Sequence, residues 1–345
     1  CDRGPIRLRG PVGSCGGLFA FAADWKLTHV SEKCPGFTGT DAADLFGLQA
    51  DVILDGEALH AIRSRLQWLQ QVDATERLFS LDLFGNGVTY DVAVHFSGNL
   101  IVIEAEEPDS DDKIDAVSIV RSMISRPKRT KSMADFFKEA TRQLQFLTGY
   151  DRVMIYKFLE DESGEVIAES KSRAAESFLG LRYPASDIPK QARALYLRNL
   201  LRLVFDVDAE TARINQPPSS DGAGLDLSLS VLRAVSPIHI EYLQNMGVHS
   251  SLSISIVMDG KLWGLIACHN IAQRKISFDR RTAAELFAQL FSLELSKRNQ
   301  NAEYQTERRS REVHDRIMTS ISVEGSVFDN LSNYLDQFRE IIPCD

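Results

Sequence analysis

No run of apolar residues in this 345-residue chain reaches the ~18 that a membrane-spanning helix requires, and no charged-then-apolar leader is present. A membrane partner is therefore not expected, and the cytoplasm is the expected location. Positive charge is scarce as well. With 39 Lys and Arg against 48 Asp and Glu the formal net charge is −9, so the basic stripe that a nucleic-acid partner needs is missing. The single basic cluster, SRPKRTK at 125–131, straddles Pro127 and reads as a solvated linker between helices. Cysteine is sparse: five residues, at positions 1, 15, 34, 268 and 344, form no CxxC pair and are odd in number. Neither a disulfide framework nor a structural zinc site is indicated. Catalytic signatures are missing too: there is no GxSxG elbow, no GxxxxGKS/T loop, no HExxH helix and no GxGxxG after a strand. The chain opens on Cys1 without an initiator Met, so residues are expected upstream.

What is present reads as a soluble α+β protein. Apolar residues at 44% and charged residues at 25% are ordinary for globular domains, and the length suits about two domains of ~100–200 residues. The first combines short apolar runs from Leu18, a helical stretch over Asp41–Gln71, and LFSLDLFGNGVTYDVAVHFSGNLIVIEAE. The alternation around Asn86-Gly87 and Ser97-Gly98-Asn99 predicts an antiparallel meander. An acidic run at 104–112 closes it, and IDAVSIVRSMIS predicts a helix up to Pro127. The second domain opens with a helix capped by Ser132 and stopped by Gly149. Strands DRVMIYKF and GEVIAES, a helix over DIPKQARALYLRNLLRL, an irregular stretch at 214–228 and a hairpin around Asp259-Gly260 follow. From Phe278 to Glu324 there are 47 residues with neither Gly nor Pro. One helix of that length would extend on the order of 70 Å; two helices joined by an unmarked bend are the alternative. The expected divisions are an N-terminal segment with the first domain (1–125), a second domain (126–296), and a linker helix with the truncated start of a third (297–345).

Several residues stand out locally. Asp187, between Pro184 and Pro189, suits either a helix N-cap or a site role. Arg198 and Arg202 are i and i+4 on the expected helix, and Arg233 precedes SPIH; converging arginines suit a ligand with carboxylate arms, although surface arginines are common. Ser251, Ser253 and Ser255 share one strand face, which is either a pocket wall or a solvated surface. His239 and His269 lie in apolar surroundings, as core histidines or as ligand contacts. A strict two-residue turn places His269 opposite the serine face, and a one-residue bulge brings it round.

RYPASDIPKQARALYLRN together with LRAVSPIHIEYLQNMGVHSSLSISIVMDGKLWGLIACHN resembles the chromophore-binding domain of bacteriophytochromes. The resemblance implies a PAS domain and a GAF domain with antiparallel sheets, an N-terminal segment knotted through a GAF loop at 206–230, and a long C-terminal helix that enters a PHY domain. It also implies biliverdin, a linear tetrapyrrole with two propionates, whose D-ring double bond isomerises in red or far-red light. On the matching positions, Asp187 would lie beside the pyrrole nitrogens. Arg202 and Arg233 would grip one propionate, and Ser251 and Ser253 the other. His239 would pack near the inner rings, His269 would hydrogen-bond the D-ring carbonyl, and Tyr156, Tyr183 and Tyr196 would frame the D ring.

Attachment in the family is a thioether to ring A. The GAF position that bears this Cys in plant relatives is Ile238 here, while CDRGPI matches the bacterial arrangement and makes Cys1 the implied nucleophile. The next segment, IRLRGPVGSCGG, departs from the family and puts Cys15 at a usual His, as a second nucleophile or an inert small residue. The implied function is a red/far-red photoreceptor module, not itself an enzyme. It would be homodimeric through GAF and long-helix surfaces and would signal to a missing PHY and output domain, a two-component histidine kinase in many relatives. The alternatives are a GAF/PAS module for a cyclic nucleotide or another small ligand without photochemistry, and an engineered near-infrared fluorescent fragment.

Overall fold

Two six-stranded antiparallel sheets organise the residues described by the computed structural model, which are 11–13, 15–69, 73–109, 114–217 and 224–324. The first sheet starts with β1 (Gly17–Phe21) and β2 (Leu27–Ser31). The predicted helical stretch then separates into α2 (Ala42–Leu45), α3 (Ala50–Ile53) and α4 (Gly56–Trp68), preceded by α1 (Pro35–Thr38). Asp55 caps α4 by accepting from the Glu57 and Ala58 N–H groups at 2.8 and 3.2 Å. The helix buries Leu59, Ile62 and Leu66, one stripe at helical spacing, against the sheet core. The predicted meander is β3 (Thr75–Asp82), β4 (Thr89–Ser97) and β5 (Leu100–Glu106). β1 lies between β2 and β5 with both faces covered. Phe19 and Phe21 join the core under α4, while Leu18 and Ala20 join a second cluster with Val12, Val102, Ala212, Leu225, Leu227 and Leu232.

The chain continues through α5 (Ala116–Lys128), α6 (Met133–Thr148), β6 (Arg152–Phe158), β7 (Gly164–Lys171), β8 (Arg182–Tyr183), α7 (Lys190–Arg198), β9 (Leu201–Val204) and β10 (Ile214–Asn215). It closes with α8 (Pro237–Asn245), β11 (Ser250–Met258), β12 (Lys261–Asn270) and α9 (Phe278–Glu324). The caps of α6 are those expected: the Ser132 side chain accepts from the Asp135 N–H, and Gly149 ends the helix at φ 65°. The second sheet runs β8-β7-β6-β12-β11-β9. Its Val153 face meets α6, where the Ser170 hydroxyl donates to Gln145 at 2.6 Å. Phe136 of α6 stacks on Phe291 of α9 with ring centroids 4.7 Å apart. The opposite face looks toward α7 and α8.

Three local expectations change. The helix drawn through Leu203 ends at Arg198, because Asn199 turns extended (φ −123°) and Leu201–Val204 pairs with β11 instead. Arg202 therefore stands on a strand, not one turn after Arg198. α5 runs through Pro127 to Lys128, since a proline in the last turn forfeits only one N–H bond, so part of SRPKRTK is helical. Of the two readings of 278–324, the single helix is the observed one. Among the described residues, those up to Phe291 form one compact unit and those from Ser292 on a second. Among the described residues no helix is long and apolar enough to cross a membrane.

The two sheets are tied by exchanged backbone. β10 pairs with β2, so the edge strand of the first sheet comes from beyond β9. Val12 exchanges 2.8 Å hydrogen bonds with Ala212 in both directions, Gly13 N–H donates to Leu232 O at 2.7 Å, and Ala234 N–H donates to Pro11 O at 3.0 Å. Residues 11–13 are thus bonded on both edges by the 212 and 232–234 segments. The expected knot also involves residues 1–10 and 218–223, which lie outside the described residues. Buried Glu104 on β5 accepts from Leu232 N–H (2.9 Å), Val231 N–H (3.2 Å) and the Ser230 hydroxyl, and burial pushes its carboxyl up. Arg198 forks onto Asp73 at 2.8 and 3.1 Å, which takes it to a surface contact rather than to a ligand pocket.

Candidate functional site

α7 and α8 enclose a cleft of about 220 Å³ that is partly open to solvent. Asp187, Tyr196, Arg202, Arg233 and His239 line it together with apolar Ile188, Leu195, Val235 and Ile238. A mostly apolar slot with a few convergent polar groups is the usual form of a small-molecule site. Asp187 ends the short helical turn Ala185–Asp187, and α7 begins after Pro189 with no side-chain cap. The capping explanation of Asp187 therefore falls away. Its carboxylate lies near enough to Tyr242 that burial first, and then the charge of Asp187, raise the pKa of the Tyr242 hydroxyl. Tyr242 escaped the sequence reading, although it follows His239 by three residues on one helix face, and the two rings lie 6.2 Å apart.

From the sheet face opposite α6, Arg202 reaches the cleft. Register puts Arg202 directly across from Ser253, and Ser251 directly across from both Val204 and His269, so these side chains share one face. His269 joins the serines because the ladder shifts between Ile256 and Val257, where Trp263 is the extra residue; of the two turn geometries, the bulge is the one observed. Asp259 and Gly260 make the turn at φ 49° and 73°.

The cations matter most. Arg202 and Arg233 are buried, at 7% and 5% exposure. The Arg202 guanidinium donates to Arg233 O at 3.0 Å, and Arg233 Nε is buried with no partner. Among the described residues neither guanidinium has a carboxylate within ion-pair distance. Burial, then the charge of Arg202, pulls Arg233 down to about 9. Two adjacent desolvated cations without counter-ions are costly. An anion beside them would offset that cost.

Tyr156 and Tyr183 stand beside the cleft in an aromatic cluster that includes Tyr196, Phe158 and Phe178, with the first two rings 6.0 Å apart. Burial, then Asp187, holds the Tyr156 hydroxyl up at about 12. Burial, then the charge of Arg202, pulls the His239 imidazole below its usual pKa. His269 lines an adjoining cavity of about 140 Å³ with Arg152, Phe178 and Met246, and not the main cleft. Cys15 lines a third cavity of about 90 Å³, which shares Arg233 and Val235 with the main one. Burial, then Glu106, pushes its thiol up to about 12, a poor setting for a nucleophile. Cys1 lies outside the described residues.

The GAF domain family matches residues 132–295 and the PAS fold family residues 1–108. Among solved structures, the chromophore-binding domain of the Stigmatella aurantiaca bacteriophytochrome is 35% identical, aligns over 86% of this chain and 99% of its own, and superposes with a TM-score of 0.77. The chain belongs to the bacteriophytochromes. The photosensory core module of the Stigmatella aurantiaca phytochrome gives a TM-score of 0.87 at 32% identity, over 99% of this chain and 69% of that one. The Pseudomonas aeruginosa bacteriophytochrome is 34% identical over the full chain and 47% of its own length. Cyanobacterial phytochrome B of Nostoc is 34% identical over 97% of this chain and 46% of its own length. This bacteriophytochrome chain thus spans about half the length of those curated relatives.

Proposed function

We propose that this chain is the light-sensing part of a longer receptor and holds biliverdin in the cleft between α7 and α8. The observation that carries the reading is the pair of buried guanidiniums, Arg202 and Arg233, neither with a carboxylate partner among the described residues. A tetrapyrrole with two propionates supplies the missing charge and suits a mostly apolar slot. Arg202 and Arg233 bind one propionate, while Ser251 and Ser253, on the same sheet face, donate to the other. His239 packs against the inner rings beside Asp187. His269 donates to the D-ring carbonyl, and Tyr156, Tyr183 and Tyr196 bound the space in which that ring turns. When bound, the bilin absorbs red light and isomerises at its D ring; the protein orients it and excludes water.

The thioether is assigned to Cys1, since Ile238 occupies the alternative position and Cys15 is held protonated. Signalling to PHY and output domains, a cytoplasmic site of action and a homodimer belong to the same reading. Val117 on α5 and Phe146 on α6, at 68% and 85% exposure, supply apolar surface for such a dimer. The test is to add biliverdin to the purified apoprotein and record spectra under red and far-red light. A red band that converts between two forms is expected, and no red-absorbing band ends the proposal. Zinc-induced fluorescence on a denaturing gel, lost in Cys1→Ser and kept in Cys15→Ser, checks the attachment.

A further inference from the structure

We infer that Arg152 is a positioning residue that fixes the tautomer of His269, with Nδ1 held as an acceptor and Nε2–H left as the ring's single donor. The inference rests on the reading of His269 as a ligand contact given above. Arg152 on β6 pairs directly across from His269 on β12, so both side chains rise from one sheet face, at 5% and 9% exposure. One terminal nitrogen of the guanidinium lies 3.3 Å from His269 Nδ1. The other donates to Glu176 O at 2.9 Å, and Cζ sits 3.4 Å from the centroid of the Phe178 ring. Carbonyl, ring and imidazole together fix the guanidinium plane.

A guanidinium carries donors only and keeps its protons in a protein. The proton between Arg152 and His269 therefore belongs to Arg152, and Nδ1 must present its lone pair. Burial first, then the charges of Arg152 and His239, hold His269 down at about 3, so the ring stays neutral and its one proton is on Nε2. A hydroxyl or a water beside Nδ1 could donate or accept and would leave both tautomers open. Arginine leaves one. A neutral ring with a fixed Nε2–H suits a carbonyl acceptor and rejects a donor in the same place.

The test reads the tautomer in the apoprotein by long-range ¹H–¹⁵N correlation of ¹⁵N-histidine-labelled chain, with His269 assigned by the signals lost in His269→Gln. Wild type is expected to show an unprotonated Nδ1 and a protonated Nε2 throughout neutral pH. Arg152→Met, which keeps the stem over Phe178 but has no donor, should move the Nδ1 signal toward the protonated position, and Arg152→Lys should restore it. A purely structural arginine would change the melting temperature and leave these shifts alone. A protonated Nδ1 in wild type, or wild-type shifts in Arg152→Met, overturns the inference. If Arg152→Met does not fold, wild type and Arg152→Lys decide: an unprotonated Nδ1 in both supports it, and a protonated Nδ1 in either overturns it. Because the readout needs no bilin, failure of biliverdin uptake in wild type strikes the pocket reading and not this one.

Discussion

Replacing Arg233 by methionine should stabilise the apoprotein and weaken the bilin complex, two effects of opposite sign from one side chain. Its guanidinium is buried, its Nε has no partner, and burial with the neighbouring Arg202 brings it from 12.5 to about 9. At about 1.36 kcal/mol per pKa unit this is roughly 4–5 kcal/mol of lost preference for the charged form. The folded chain binds that proton less tightly than the unfolded chain does. The penalty is therefore complete below about 9, neutral pH included, and is relieved as pH rises from there toward 12.5. Relaxation and imperfect repacking leave about 1–3 kcal/mol of net gain, or a melting temperature about 2–6 °C higher by thermal scanning of the apoprotein. Biliverdin affinity, titrated by absorbance in a Cys1→Ser background so that uptake is reversible, should fall about 30- to 1000-fold as a buried charge pair is truncated. Arg202→Met is the control: Arg202 also holds the Arg233 carbonyl at 3.0 Å, so its loss orphans an acceptor and no stabilisation is expected. An Arg233→Met apoprotein that melts several degrees lower, with biliverdin affinity unchanged, would refute the reasoning.

Three further outcomes are expected. A Cβ at Gly164 would overlap the Tyr156 ring, so Gly164→Ala should cost about 1–3 kcal/mol in denaturant melts and alter the absorption of the bilin adduct, whereas Gly98→Ala should leave the spectrum unchanged. Glu104 has its carboxyl raised by burial, so the fold gains stability as it protonates and loses it as pH rises through that raised value. Glu104→Gln should remove up to about 1.4 kcal/mol per pH unit of slope from acid-range melts, and an unchanged slope would contradict the burial argument. The Arg198–Asp73 fork is one-third exposed on both sides, so Arg198→Ala should change stability by only about 0.2–1 kcal/mol and leave biliverdin uptake intact.

Features set by neighbours in sequence could be read in advance. The caps Ser132 and Gly149 and the Asp259-Gly260 turn follow from local preferences, and they stand where those preferences put them. Features set across the sheet could not. β9 exists because β11 offers it an edge, and no local signal separates RNLLRL as strand from the same letters as helix. The face of His269 depends on the single extra residue Trp263, so alternation alone left it undecided. The resemblance supplied roles for eleven residues of the pocket and the attachment site but was silent on Tyr242 and Arg152, whose importance comes from contacts with Asp187 and His269. Arg198, attractive by its spacing to Arg202, pairs instead with Asp73, 125 residues away in sequence.

The pairing of β10 with β2 also sets a timetable. During translation the five strands that open the first sheet are complete well before the strand that closes its edge, which follows on the order of ten seconds later at about 5–20 residues per second. Until then β2 presents an unpaired edge, a template for pairing with another nascent chain. Slower translation lengthens that interval, and crowding of chains on one message raises the chance of a wrong partner within it. A fragment ending after β5 would never leave this state.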